Sequence, residues 1–287
     1  MAGSMAGFTL NDACMKALSS ELAMFQALFL RGVGTTVLIL VLALSFGAFR
    51  LKLTRRDWCF AGLRTFGELV AAYCFVTALF HMPLANVSAV LQALPLTVTL
   101  AGAVFLGEAV GWRRLIAILV GFCGVLLIVR PGAEGFSVYS VYAMVAVVGV
   151  TVRDLATRGI ARTVPVLTVA FVASLCLTVF AGLGAATEPW VTPSARAIGL
   201  ISGATIFIFV GYLCSILVMR WGDISFVAPF RYTSLLWALV LGFLVFGDWP
   251  SGLTMIGATI VVLTGLFTFW RERVLERGGA SQGQGAG

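Results

Sequence analysis

From Leu84 to Leu106 the chain reads LANVSAVLQALPLTVTLAGAVFL, without one charged residue. At 1.5 Å of rise per residue, a helix of about 20 residues crosses the roughly 30 Å hydrocarbon core of a bilayer, so a run of this length is a membrane span. The pattern recurs along the chain. It gives ten candidate spans, at about 1–18, 25–47, 59–80, 84–106, 112–129, 137–157, 165–186, 197–219, 225–247 and 253–270. These are not the alternating ten-residue segments of an outer-membrane barrel. With hydrophobic residues at 60% and charged residues at 11%, the sequence has too little polar material to cover a water-facing surface. The expected fold class is all-α, a polytopic membrane protein.

A repeat organises the ten spans. Residues 224–247, ISFVAPFRYTSLLWALVLGFLVFG, superimpose on 84–107 at a shift of 140, which sets Leu84 on Ile224, Ala89 on Pro229, Gln92 on Tyr232 and Glu108 on Asp248. At a shift of 142, Asp12-x-x-x-Lys16 falls on Asp154-x-x-x-Arg158. Each half holds five spans, an odd number, so the second half enters the membrane upside down relative to the first. The expected architecture is two inverted five-helix repeats, 1–130 and 137–272. A Gly-rich tail, 273–287, is expected to be cytoplasmic and disordered.

The net charge of +7 comes from basic residues gathered in a few short loops, and it is no sign of nucleic-acid binding. With the N-terminus inside, Arg50, Lys52, Arg55, Arg56, Arg113, Arg114, Arg162, Arg220, Arg271, Arg273 and Arg277 lie on the cytoplasmic side, against Arg130 and Arg196 outside. That bias places both termini in the cytoplasm. The cysteines Cys14, Cys59, Cys74, Cys123, Cys176 and Cys214 lie within or beside apolar runs, and His81 is the one histidine. This is the pattern of buried small apolar residues. Neither a disulfide framework nor a metal site is expected, and no cofactor is implied.

The charges inside the spans carry the functional argument. They are Asp12, Lys16, Arg31, Arg64, Glu68, Arg153, Asp154, Arg158 and Arg231. Each costs about 2.5–3.5 kcal/mol at a helix centre on the most lenient scale, so they should face partners or a water-filled cavity. By depth, Asp12, Lys16 and Arg31 fall in the outer part and Arg64, Arg153, Asp154, Arg158 and Arg231 in the inner part, with Glu68 near the middle. Two polar clusters, one at each mouth of a cavity, are expected. Asp12, Lys16, Arg31, Arg64, Asp154 and Arg158 are the candidate gating residues. The plainer reading is that Asp12 with Lys16, Asp154 with Arg158, and Arg64 with Glu68 neutralise one another at i,i+4 on a helix face. Glu68 is also a candidate proton site.

The candidate substrate residues are Glu68, Gln92, Arg231, Tyr232 and Trp237. Gln92 shares a helix face with Ser88 and Thr99, and Arg231 shares one with Ser234. Pro95 and Pro229 interrupt these two helices near the candidate site. Arg231 offers a planar fork for a carboxylate or phosphate, and the two aromatics offer stacking or simple packing. Spans five and ten carry small-residue faces, Ala117 to Gly121 and Gly257 to Gly265, fit either for a homodimer seam or for packing in the bundle. Against an enzyme, the sequence holds no G-x-S-x-G, H-E-x-x-H, P-loop lysine or dinucleotide loop. A membrane scaffold without transport is the other alternative, and it leaves the intramembrane charges unexplained.

The elbows Leu106-Gly107-Glu108 and Phe246-Gly247-Asp248, the stretch Phe8 to Lys16 (F-x-L-N-D-A-x-x-K), Phe25-Gln26 with Leu30-Arg31, and Arg153-Asp154 with Arg158 together resemble the EamA-type members of the drug/metabolite transporter superfamily. The resemblance covers roughly residues 5–272. Its departures are a short first helix and Ala117 where the family commonly has Gly. The resemblance implies a secondary carrier of the bacterial inner membrane, handling small organic metabolites by alternating access, with membrane lipid around it. Family substrates include amino acids, vitamins such as riboflavin, nucleoside-type compounds including S-adenosylmethionine, and quaternary ammonium compounds.

Overall fold

The computed structural model describes residues 1–47, 49, 53–108, 110–130, 137–161, 163–221 and 228–283, with the backbone alone at 215–221, 228 and 272–283. Among these residues there are helices and one 3-10 turn, and no strand. The helices are α1 (Ala2–Leu18), α2 (Met24–Ser45), α3 (Arg55–His81), α4 (Leu84–Leu91), α5 (Leu94–Leu106), α6 (Trp112–Val129), α7 (Val138–Gly159), α8 (Val166–Ala185), α9 (Ala195–Trp221), α10 (Thr233–Phe246) and α11 (Gly252–Gly283). The 3-10 turn, Ala228–Tyr232, leads directly into α10.

Nine helical segments among the described residues are long and apolar enough to cross a membrane. The tenth expected span, α1, has 17 residues, which reach about 26 Å. Two of the nine are not single helices. Span four bends between α4 and α5, where Pro95 opens the second piece, and span nine begins as the 3-10 turn holding Pro229. A proline nitrogen cannot donate to the preceding turn, so each helix is broken where the sequence places the proline.

Local chemistry sets the ends. Thr54 caps α3 by accepting the Asp57 amide at 3.2 Å, while its hydroxyl donates to the Asp57 carboxylate at 2.6 Å. The helix therefore starts at Arg55, four residues before the apolar run expected at 59. Both acidic elbows turn on a left-handed glycine, Gly107 and Gly247, each at φ 69°. There a Cβ would be strained. At the other end of the chain, α11 continues to Gly283, through most of the tail expected to be unstructured. Of the expected cytoplasmic cations, Arg50, Lys52 and Arg162 lie outside the described residues, as do the side chains of Arg220, Arg273 and Arg277.

The packing is symmetrical in the way inverted halves require. α3 lies along α7 as α1 lies along α9, while α2 pairs with α8 and α6 with α11. Residues 142 apart meet at the crossing points: Thr36 hydrogen-bonds Thr178 at 3.0 Å, and Gln92 donates to Ser234 at 2.9 Å. The small-residue faces of spans five and ten are used on each other and their neighbours. A carbon on Gly124 would stand 2.8 Å from the Gly257 carbonyl, and one on Gly121 would collide with Leu96 and Thr264. Two apolar cores result. One centres on Val87, Leu96, Ile118 and Val261, and the other on Met15, Leu28, Leu79 and Leu84.

Candidate functional site

Two close helix crossings build the site. On α3 and α7, a carbon on Gly67 would stand 2.7 Å from the Gly149 carbonyl and 2.9 Å from the Arg153 nitrogen. Backbones this near bring the residue after Gly67, which is Glu68, against Arg153. On the symmetrical pair, a carbon on Gly7 would lie 2.9 Å from the Phe207 carbonyl and 3.1 Å from Gly211. Ser4 donates to the Gly211 carbonyl at 2.8 Å, and Phe8 packs edge-on against Tyr212. Asn11 and Asp12 follow one turn later.

The charges form a network of two hydrogen-bonded groups, one on α3 and α7 and one on α1 and α2. Arg153 reaches Glu68 at 3.3 Å and grips one oxygen of Asp154 through Nε and Nη2, each at 2.9 Å. These three side chains keep 18–26% of their surface accessible, so they line a space rather than fill a sealed core. On the α1 and α2 side, buried Arg31 donates to Asn11 Oδ1 at 3.2 Å, and the Asn11 amide donates to Asp12 at 2.9 Å. Arg31 lies within electrostatic reach of Asp12, Tyr212 and Glu68, so the two groups feel each other's charge. Tyr212 also feels Arg64 and Arg153, and Arg231 feels Asp154 and Arg153. Nη1 of Arg64 is buried without a hydrogen-bond partner. Four arginines (31, 64, 153, 231) thus face three carboxylates (12, 68, 154), a surplus of one positive charge.

The i,i+4 pairs suggested by the sequence do not form. Asp12 is held by Asn11, Asp154 by Arg153, and Glu68 by Arg153 instead of Arg64. The bases of the first two pairs turn away to other partners. Arg158 meets Glu108 at 2.6 Å, and Lys16 donates to the carbonyls of Met82 at 2.5 Å and Leu79 at 3.4 Å. Lys16 also sits 5.5 Å over the Phe246 ring and within electrostatic reach of Asp248. Arg158 thus holds its elbow directly, while Lys16 stands beside the corresponding one and binds the chain before α4. Asp12 and Asp154 are each held by the preceding residue of their own helix, and Glu68 by a residue of a neighbouring helix brought close by glycine.

The expected substrate residues separate into two groups. Glu68 and Arg231 belong to the charged network. Gln92 is buried at the α4/α5 break and bonded to Ser234. Tyr232 instead turns toward α11, its hydroxyl against Gly265 and its ring 6.4 Å from Phe269. Trp237 is 41% exposed on the same outward stripe of α10 as Val240 and Leu244. Tyr232 is still within electrostatic reach of Arg231, whereas Trp237 lies on the outward stripe. Tyr73, one to two turns beyond Glu68 on α3, gathers Phe25, Phe180 and Tyr142 at centroid distances of 5.8–6.3 Å from its own ring. The sequence reading passed over these and Tyr212, because an aromatic residue in an apolar run looks the same whether it meets lipid or a cavity.

A bundle of apolar spans enclosing a polar, accessible network is a multi-pass integral membrane protein of the transporter class. Residues 1–130 match the EamA-like transporter family. An S-adenosylmethionine uptake transporter of Rickettsia conorii is 25% identical, over 94% of this chain and 91% of its own. A riboflavin transporter of Vibrio cholerae is 28% identical over 75% of this chain and 73% of its own, and a pseudopaline exporter of Pseudomonas aeruginosa is 26% identical over 89% of each. A crystal structure 22% identical in sequence superposes with a TM-score of 0.64 over 96% of this chain and 98% of its own, which shows the shared fold. Residues 1–130 are thus an EamA-like transporter domain, and the chain is similar along most of its length to transporters of small metabolites.

Proposed function

We propose that the protein is a secondary carrier of the cytoplasmic membrane, with both termini inside, and that it moves a small zwitterionic metabolite by alternating access between halves 1–130 and 137–272. The observation that carries this reading is the charge surplus of the network. Four arginines against three carboxylates, with one guanidinium nitrogen of Arg64 unpartnered, favour a substrate that brings an anionic group. Arginine presents the planar fork that a carboxylate fits, while Glu68 and Asp154 suit an ammonium or sulfonium centre on the same molecule. Tyr73 and its neighbours supply faces for a ring. A nucleoside-type amino acid such as S-adenosylmethionine has all three features, and the relatives named for its uptake align with nearly the full chain. Glu68, near the membrane centre, is the carboxylate we assign to proton exchange.

The elbow latches supply the two-state element. An exposed ion pair such as Arg158–Glu108 is worth about 0.2–1 kcal/mol, little enough to open and close during a transport cycle. Counterflow of labelled S-adenosylmethionine into proteoliposomes loaded with unlabelled compound tests the proposal. The expected result is uptake above protein-free vesicles, competed by compounds that retain the carboxylate and not by the decarboxylated analogue. Equal competition by both would remove the arginine site. Competition by riboflavin alone would reassign the substrate class.

A further inference from the structure

Outside the charged network, α3 and α8 part to leave a groove of about 340 Å³ on the lipid-facing side of the bundle. It is walled by Trp58, Gly62, Phe66 and Leu69 of α3 and by Val172 and Cys176 of α8. The α3 residues recur every three or four positions, so they form one stripe along the helix. The next position of that stripe toward the cytoplasmic end is Arg55. Arg55 and Arg56 are both exposed, and Arg56 leans 5.7 Å over the Phe60 ring. Asp57 is the acid of that turn, with Arg56 in electrostatic reach. It is buried and engaged by Thr54 and the Ala161 amide. From Trp58 to Leu69 the stripe runs about 16 Å, roughly half the 30 Å hydrocarbon core and therefore the depth of one leaflet. Trp58 lies at its cytoplasmic end, where indole rings favour the interface. A carbon built on Gly62 would meet nothing within 4 Å, so the floor of the groove is open.

We propose that this groove holds one acyl chain of an anionic phospholipid of the cytoplasmic leaflet, with the headgroup phosphate on Arg55 and Arg56. Two cations at the mouth of an apolar slot of leaflet depth match a lipid carrying net negative charge. A zwitterionic headgroup brings an ammonium that the same cations oppose.

Native mass spectrometry of the full chain, released from detergent with phosphatidylglycerol or with phosphatidylcholine of identical chains, tests this site. The wild type is expected to retain one phosphatidylglycerol at several-fold higher occupancy than phosphatidylcholine. Arg55→Gln/Arg56→Gln should bring the two lipids level. Gly62→Leu, and independently Val172→Trp from the other wall, should reduce retention of both lipids, while Gly199→Leu on open α9 surface should leave it unchanged. Thermal melts within a few degrees of wild type establish that a variant is folded. Equal retention of the two lipids by the wild type, or wild-type retention by a folded groove-filling variant, overturns the proposal.

Discussion

Glycine decides where the charged residues go. Gly67 and Gly149 let α3 and α7 touch through their backbones, and only then can Arg153 reach Glu68. Gly149→Val would drive a branched side chain into Ala71 and the Gly67 carbonyl. We expect a loss of roughly 1–3 kcal/mol, seen as a lower melting temperature, together with loss of transport. Gly199→Ala, where a carbon meets open space, should leave both unchanged. Glu68→Gln keeps the shape and removes one charge from the Arg153 pair. Counterflow should remain measurable in this variant, while accumulation driven by an imposed pH gradient disappears. Gradient-driven uptake at the wild-type rate would take Glu68 out of proton exchange.

In the proposed cycle the repeated elements serve as hinges and latches. α5 and α10 each end at a left-handed glycine and lead through an acidic elbow into the next helix. Substituting alanine at either Gly107 or Gly247 should cost about 1–2 kcal/mol, by a similar amount at both, because the backbone geometry is the same. Chemical unfolding of the two variants in one detergent would measure this. The broken helices make a different prediction. Pro95→Ala restores a backbone donor at the α4/α5 break, and the protein should become more heat-resistant while transport slows, since the break then bends less readily. A faster carrier would show that the break is not a hinge.

For the molecule as a whole, the latches carry the transport proposal. Arg158 holds Glu108 at one end while Lys16 binds carbonyls beside the other elbow, with Asp248 in electrostatic reach. In a background freed of the six native cysteines, Glu108→Cys/Arg158→Cys should crosslink on oxidation, stop counterflow, and recover when reduced. Undiminished transport by the crosslinked protein would exclude this latch from the cycle.

The sequence alone determined the membrane class, the number of spans to within the short first helix, and the matched elbows. Run length and repeated order along the chain are one-dimensional properties. It also singled out the charges inside the spans as candidates, since a charge in hydrocarbon is costly wherever it sits. Which charge meets which was decided only by the tertiary structure. Asp12 and Lys16 lie one turn apart on α1, yet Asp12 turns to Asn11 and Lys16 to the chain before α4. Arg153 passes over no nearer acid, but gains Glu68 from a helix 85 residues away. The direction of Tyr232 and Trp237 was likewise hidden, because periodicity gives a helix face and not what that face meets. Pairing depends on how closely two backbones approach, and that distance exists only once the helices have packed.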